Sequence, residues 1–123
     1  MAVRNSKKFI AQAIESVLMQ SFKDFEFIIV DDCSNDSTFK IIKDYSKNDK
    51  RIRVYKNLRK KGPAESRNIA IKLARGQWIS VIDSDDVFFP NKIEKQMNVI
   101  KNNKNIIFVG TSLLFINENG SHI

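Results

Sequence analysis

The chain reads as an α/β protein with a mostly parallel sheet and helices on both faces. Three observations predict this class. Short apolar runs alternate with segments of helical period along the chain. Two of those runs, Phe25-Glu26-Phe27-Ile28-Ile29-Val30 and Trp78-Ile79-Ser80-Val81-Ile82, are short and rich in β-branched and aromatic residues, so they read as buried strands. Both end in carboxylates, Asp31-Asp32 and Asp83-Ser84-Asp85-Asp86, and open parallel sheets bind ligands just beyond the carboxyl ends of their strands.

The elements follow in order. Phe9, Ile10, Ala13, Ile14, Val17 and Leu18 recur at helical spacing, and Asn5 or Ser6 can cap that helix. The strand Phe25–Val30 comes next. Ser34-Asn35-Asp36-Ser37 offers capping oxygens to a second helix marked by Phe39, Ile42 and Tyr45. Ile52-Arg53-Val54-Tyr55 makes a short strand. A basic loop leads to Gly62-Pro63, and proline suits the first turn of a third helix. That helix turns Ile69, Ala70, Leu73 and Ala74 inward and is expected to stop at Gly76 in a left-handed cap. The Trp78–Ile82 strand follows. Pro90 starts a fourth helix with Ile93, Met97 and Ile100 on one face. Ile106–Val109 reads as a last strand, extending toward Ile116, and Asn117-Glu118-Asn119-Gly120 as a turn. Only Met1-Ala2-Val3-Arg4 precedes the first helix, so the end of an opening strand is expected there.

The chain has 123 residues, enough for one domain with a modest core. No apolar stretch approaches the roughly 20 residues that cross a bilayer, and the amino end has no apolar signal core. A cytoplasmic location is therefore expected. The single Cys33 excludes an internal disulfide and a cysteine-based zinc site. The only histidine, His122, stands next to the last residue, which argues against a histidine-dependent nucleophile triad. The net charge is +7, concentrated in Arg51, Arg53, Lys56, Arg59, Lys60 and Lys61. Such a cluster suits a solvated loop, an anionic membrane surface or a phosphorylated ligand. Only Tyr55 interleaves with it, so no specific nucleic-acid partner is expected.

The acidic strand ends carry the chemistry. Clustered carboxylates repel, so a fold gains little from them without a cation. Asp83 and Asp85 flank one small residue and can turn toward a single ion, and Mg2+ or Mn2+ take one or two carboxylates plus substrate phosphates and water. Any single strand-end aspartate is also a common helix cap or turn former. Two acidic ends in one short domain favour a shared ligand.

These motifs, in this order, resemble the family 2 glycosyltransferases, inverting enzymes of the GT-A fold with a Rossmann-like sheet. Ala2-Val3-Arg4-Asn5 resembles the end of the family's first strand, with Arg4 where tyrosine is usual. The run from Ala11 to Phe22 resembles its first helix. Glu26 to Thr38 matches its second strand and turn, with Cys33 where glycine is usual. Gly62-Pro63-Ala64-Glu65-Ser66-Arg67-Asn68 resembles the segment ending Ala-Arg-Asn, and Asp83-Ser84-Asp85-Asp86 the DxD motif. The resemblance implies a nucleotide-sugar donor, a UDP-sugar before GDP- or dTDP-linked ones, and a divalent cation, Mn2+ or Mg2+. It implies that Asp32 meets the base, with Asp31 sharing that work or capping the turn. Asp83 would meet the ribose or the metal, Asp85 would ligate the metal, and Arg67 would meet a phosphate. The acceptor would be a carbohydrate or a lipid-linked glycan in cell-surface polysaccharide or lipopolysaccharide synthesis, with peripheral contact at the inner face of the membrane. No general base has a counterpart before residue 123, so residues 1–123 are expected to be a partial donor-binding domain, truncated at both ends. The alternatives are a phospho-acceptor receiver domain and an inactive nucleotide-binding remnant. Gly110-Thr111-Ser112 stands where a receiver needs a lysine.

Overall fold

A computed structural model describes residues 1–117 and 119–121. Glu118 and His122 lie outside the described residues. The described chain forms a three-stranded parallel sheet in the order β1-β2-β3. Strand β1 is Ala2–Val3, β2 is Phe27–Asp31 and β3 is Ile52–Lys56. Helix α1 (Ile10–Leu18) links β1 to β2, and α2 (Thr38–Asn48) links β2 to β3. Helices α3 (Pro63–Leu73) and α4 (Lys92–Asn102) follow. Val30 pairs with Ala2 on one side and Tyr55 on the other, so β2 is central. Its five residues are all buried, which is why it reads as an unbroken apolar run.

Alternation along β2 divides the packing. Phe27 and Ile29 join Ile10, Ala13, Ile14 and Val17 of α1 and Ile42 of α2 in the core cluster. Ile28 and Val30 point the other way, and α3 packs against β1 and β2. Fully burying one such isoleucine contributes about 1.5–3 kcal/mol relative to leaving it in water. The helical faces expected from spacing are present. Ile10, Ala13, Ile14 and Val17 are buried on α1, Ile42 on α2, and Ile93, Met97 and Ile100 are half-buried on α4.

Several expected elements differ. Trp78–Ile82 makes no ladder and lies outside the sheet. Ile82 is buried in the cluster that holds Met1 and Val3, while Ile79 and Val81 are about half exposed, at 49% and 55%. Ser80 between them is exposed too, so burial does not alternate along this segment, and the only described strand sharing that part of the core is the two-residue β1. Ile106–Val109 forms no strand either. Ile107 and Phe108 stand 93% and 81% exposed, with no sheet partner among the described residues. Neither Asn5 nor Ser6 caps α1 through its side chain. The Ser6 carbonyl instead accepts from the Phe9 and Ile10 N–H groups. Pro63 does open α3, but the helix ends at Leu73, and Gly76 has no positive φ, so it is not a left-handed cap. Among the described residues, no helix is long and apolar enough to cross a membrane.

Candidate functional site

The carboxyl ends of β2 and β3 are tied together by the two aspartates after Val30. Asp31 closes β2 and is fully buried. Its Oδ2 accepts the Ser34 N–H at 3.1 Å, and its carbonyl accepts the Asn57 N–H at 2.9 Å just past β3. Its Oδ1 has no hydrogen-bond partner among the described residues. Asp31 is thus a turn former whose side chain faces inward.

Asp32 holds the loop after β3. Its Oδ1 accepts from Asn57 Nδ2 and from the Lys61 N–H, each at 2.8 Å. Its Oδ2 accepts the Gly62 N–H at 2.8 Å. Asn57 Nδ2 also donates to Ser66 Oγ at 3.0 Å, so the network reaches the first turn of α3. Burial opposes ionisation of Asp32. The hydrogen bonds from Asn57, Lys61 and Gly62, with the charge of Arg4, outweigh it and hold the carboxyl below the usual aspartate range. Between the aspartates and this loop, Cys33 adopts a left-handed φ of 57° and donates its thiol to the Asn57 carbonyl at 3.0 Å.

A cleft of about 280 Å³ opens over Asp32. Ala2, Val3 and Pro63 give it apolar walls, and Arg4 and Lys60 give it two cations. Gly62, with φ 88°, forms part of its lining, and the turn into α3 needs that conformation. A carboxylate has about four acceptor sites. Asp32 Oδ2 uses one of them within the chain and keeps a further lone pair.

The second acidic cluster is built differently. Arg67 donates to Asp83 Oδ1 at 2.6 Å, with the two side chains 42% and 47% exposed. Its Nε is buried without a partner among the described residues. Asp85 makes no hydrogen bond or ion pair among the described residues, and it lines a separate concavity with Phe9, Gln12 and Val87. Asp32 and Asp85 therefore do not line one cleft. No trio of His, Cys, Asp or Glu side chains forms a metal cage among the described residues. The donor set that remains is Asp83 Oδ2 and both oxygens of Asp85. That set fits Mg2+ or Mn2+ only with ligand phosphates and water completing the shell.

The residues that hold the acidic loop were not legible as functional. Ser6 Oγ donates to the Ser84 carbonyl at 3.3 Å. Ser16 Oγ accepts the Phe88 N–H at 3.1 Å. The fully buried Gln20 donates Nε2 to the Phe89 carbonyl at 2.7 Å and accepts the Ile93 N–H on Oε1 at 3.0 Å. One signal was present: a polar glutamine closes an otherwise apolar helical face.

Comparison with known proteins agrees with this architecture. The sequence model of the family described as Glycosyl transferase family 2 matches residues 1–121. An uncharacterized glycosyltransferase of Methanocaldococcus jannaschii is 42% identical over 116 residues, covering 94% of this chain and 40% of its own length. The Escherichia coli UDP-Glc:alpha-D-GlcNAc-diphosphoundecaprenol beta-1,3-glucosyltransferase WfgD is 39% identical over 116 residues, covering 94% and 44% respectively. Among solved structures, residues 1–349 of Staphylococcus aureus TarS in complex with UDP-GlcNAc align with a TM-score of 0.77 and 31% identity, covering 82% of this chain and 30% of that one. The mannosyltransferase PcManGT from Pyrobaculum calidifontis, in complex with GDP-Man and Mn2+, shares the fold at a TM-score of 0.70 and 19% identity. The chain spans less than half the length of these relatives.

Proposed function

The chain belongs to glycosyl transferase family 2, and from that premise we propose that residues 1–123 form the donor-binding part of an inverting glycosyltransferase. The donor is a nucleotide-sugar, with a UDP-sugar as the first candidate. The observation that carries this reading is the Asp32 cleft, where a buried, ionised carboxylate lies beneath two cations at the carboxyl ends of parallel strands. Asp32 Oδ2 accepts the imide N–H of the base, and Ala2, Val3 and Pro63 flank the ring. Asp31 shapes the turn that presents Asp32.

Displacing a nucleoside diphosphate from an anomeric carbon builds negative charge on the leaving phosphate. Asp83 and Asp85 hold a divalent cation, Mn2+ or Mg2+, which supplies the charge that offsets it. Arg67 keeps Asp83 oriented through its 2.6 Å hydrogen bond, leaving Oδ2 for the ion or the ribose. In that role Arg67 meets the diphosphate through Asp83 rather than by direct contact. Holding the donor in place contributes by positioning. The relationship to WfgD supports a lipid-linked acceptor in cell-surface polysaccharide synthesis, with the protein working at the inner face of the membrane.

Calorimetric titration of UDP, GDP and dTDP with Mn2+ present tests the base contact. Asp32→Ala is expected to weaken binding of all three at least tenfold, since a hydrogen bond to a charged group contributes about 1.5–3 kcal/mol. Unchanged affinity in a folded Asp32→Ala variant would contradict the assignment.

A further inference from the structure

We propose that the loop between β3 and α3 docks the protein on an anionic membrane surface through Leu58, Arg59, Lys60 and Lys56. Leu58 is 103% exposed, the most exposed large apolar side chain described. Cations surround it in sequence, and Lys56, Arg59 and Lys60 are all exposed.

Ion pairs neutralise some basic residues of the chain and leave the charges of this loop uncovered. Lys47, Arg51, Arg53, Lys61 and Arg67 each have a carboxylate partner. Lys56, Arg59 and Lys60 have no ion pair among the described residues. The Lys56 ammonium lies 4.4 Å from the centroid of the Phe39 ring, which fixes its position and leaves its charge uncompensated.

The loop is held at both feet. Asn57 is bonded to the Asp31 carbonyl and to Asp32, and the Lys61 and Gly62 N–H groups are bonded to Asp32. Leu58, Arg59 and Lys60 arch out between those feet. Presenting them to a surface therefore costs little ordering entropy. One apolar insertion combined with several cations is the two-signal logic of reversible membrane attachment. Each basic residue near an anionic leaflet strengthens binding about fivefold.

A nucleic acid is the poorer fit. Tyr55 and Phe39, the aromatics beside it, are half-buried, with the Arg53 guanidinium and the Lys56 ammonium over their rings, so neither offers a free stacking face. A leucine at the tip also gains nothing from a phosphate backbone. Lys60 lines the Asp32 cleft, so docking brings that cleft against the lipid surface. That consequence rests on the donor-binding reading above, because it places the donor beside a lipid-linked acceptor.

Vesicle co-sedimentation without nucleotide tests the proposal on the chain itself. The chain should bind vesicles of mixed phosphatidylcholine and phosphatidylglycerol, and not phosphatidylcholine alone. Salt should weaken binding. Leu58→Ser should weaken it about tenfold through lost apolar burial, and Arg59→Ser about fivefold. Both positions are exposed and outside the cleft, so the variants should fold as the parent does. Equal binding to neutral vesicles would point to Ile107, Phe108 and Phe115 instead and overturn the proposal. So would unchanged binding of both variants, or Arg59-dependent retention on DNA without vesicle binding. UDP titration of the same proteins keeps the two readings apart. Vesicle binding without UDP binding contradicts only the donor site, and UDP binding without vesicle binding contradicts only the membrane surface.

Discussion

Gln20, at the end of the first helical segment, donates to the Phe89 carbonyl at 2.7 Å across 69 positions of sequence. It also donates to the Ser16 carbonyl and accepts from Ile93. This side chain fastens the segment after Asp83–Asp86 to the core. Gln20→Leu keeps the volume but strands two backbone carbonyls and one backbone N–H. The expected loss is about 3 kcal/mol, from unsatisfied groups at about 1–3 kcal/mol each. Urea unfolding followed by tryptophan fluorescence reads it, since Trp78 is the only tryptophan. A midpoint unchanged from the parent would show that the clamp holds nothing.

Cys33 occupies a left-handed conformation, φ 57°, that glycine adopts without strain. Cys33→Gly removes a steric cost of about 1–2 kcal/mol. It gives back part of that in unfolded-chain entropy and in the thiol contact to Asn57. A net gain of about 0.5 kcal/mol is expected. Cys33→Val adds a β-branch at the same φ and should destabilise by about 1–2 kcal/mol. Thermal unfolding of both variants measures the pair, and the opposite order would contradict the strain argument.

Asp32 gives the fold an acid limit. Its folded pKa is depressed, so its contribution is fully present above the unfolded value of about 3.9 and is lost as pH falls through the lower folded pKa. Stability should therefore be flat in this group above about pH 5 and should decline below about pH 4. Asp32→Asn should be less stable at neutral pH and should show a shallower acid slope. Unfolding midpoints across an acid series test this, and parallel curves for the two proteins would count against it.

Ile107, Phe108, Leu113 and Phe115 leave a large apolar surface uncovered, with exposures of 93%, 81%, 79% and 72%. The isolated chain should self-associate as its concentration rises. Sedimentation velocity over a concentration series reads this directly. Ile107→Ser with Phe108→Ser should shift the chain toward monomer, and a monomer at every concentration in the parent would rule the effect out.

What the sequence could reveal follows from where the information lies. The Phe27–Asp31 strand was legible because a central strand buries both faces and so becomes one apolar run. The order of helices was legible because Ile10, Ile14 and Val17, or Ile93, Met97 and Ile100, repeat at helical spacing. Trp78–Ile82 was misjudged because a strand is defined by its partner. Its β-branched composition suits a strand, but only Ile82 is buried, and pairing needs a neighbour longer than Ala2–Val3. The aspartates at the strand ends were visible, but what they hold was not. Asn57 and the Lys61 and Gly62 N–H groups reach Asp32 across 25 to 30 positions of sequence. Composition and period are blind to such contacts. Arg67 was expected to meet a phosphate, and in the fold its partner is Asp83.

On the proposed reading, the acidic loop and a nucleoside diphosphate would hold a divalent ion jointly. Calorimetric titration of UDP with Mn2+ and with chelator, on the parent and on Asp85→Asn, tests it most directly. Asp85 is exposed and free of partners among the described residues, so this substitution should leave the fold intact. The account predicts that UDP binds at least tenfold more tightly with Mn2+ than with chelator, and that Asp85→Asn removes most of that difference, because two carboxylates and the phosphates complete the ion's shell together. Equal affinity for UDP with metal and with chelator, unchanged by Asp85→Asn in a folded protein, would contradict it.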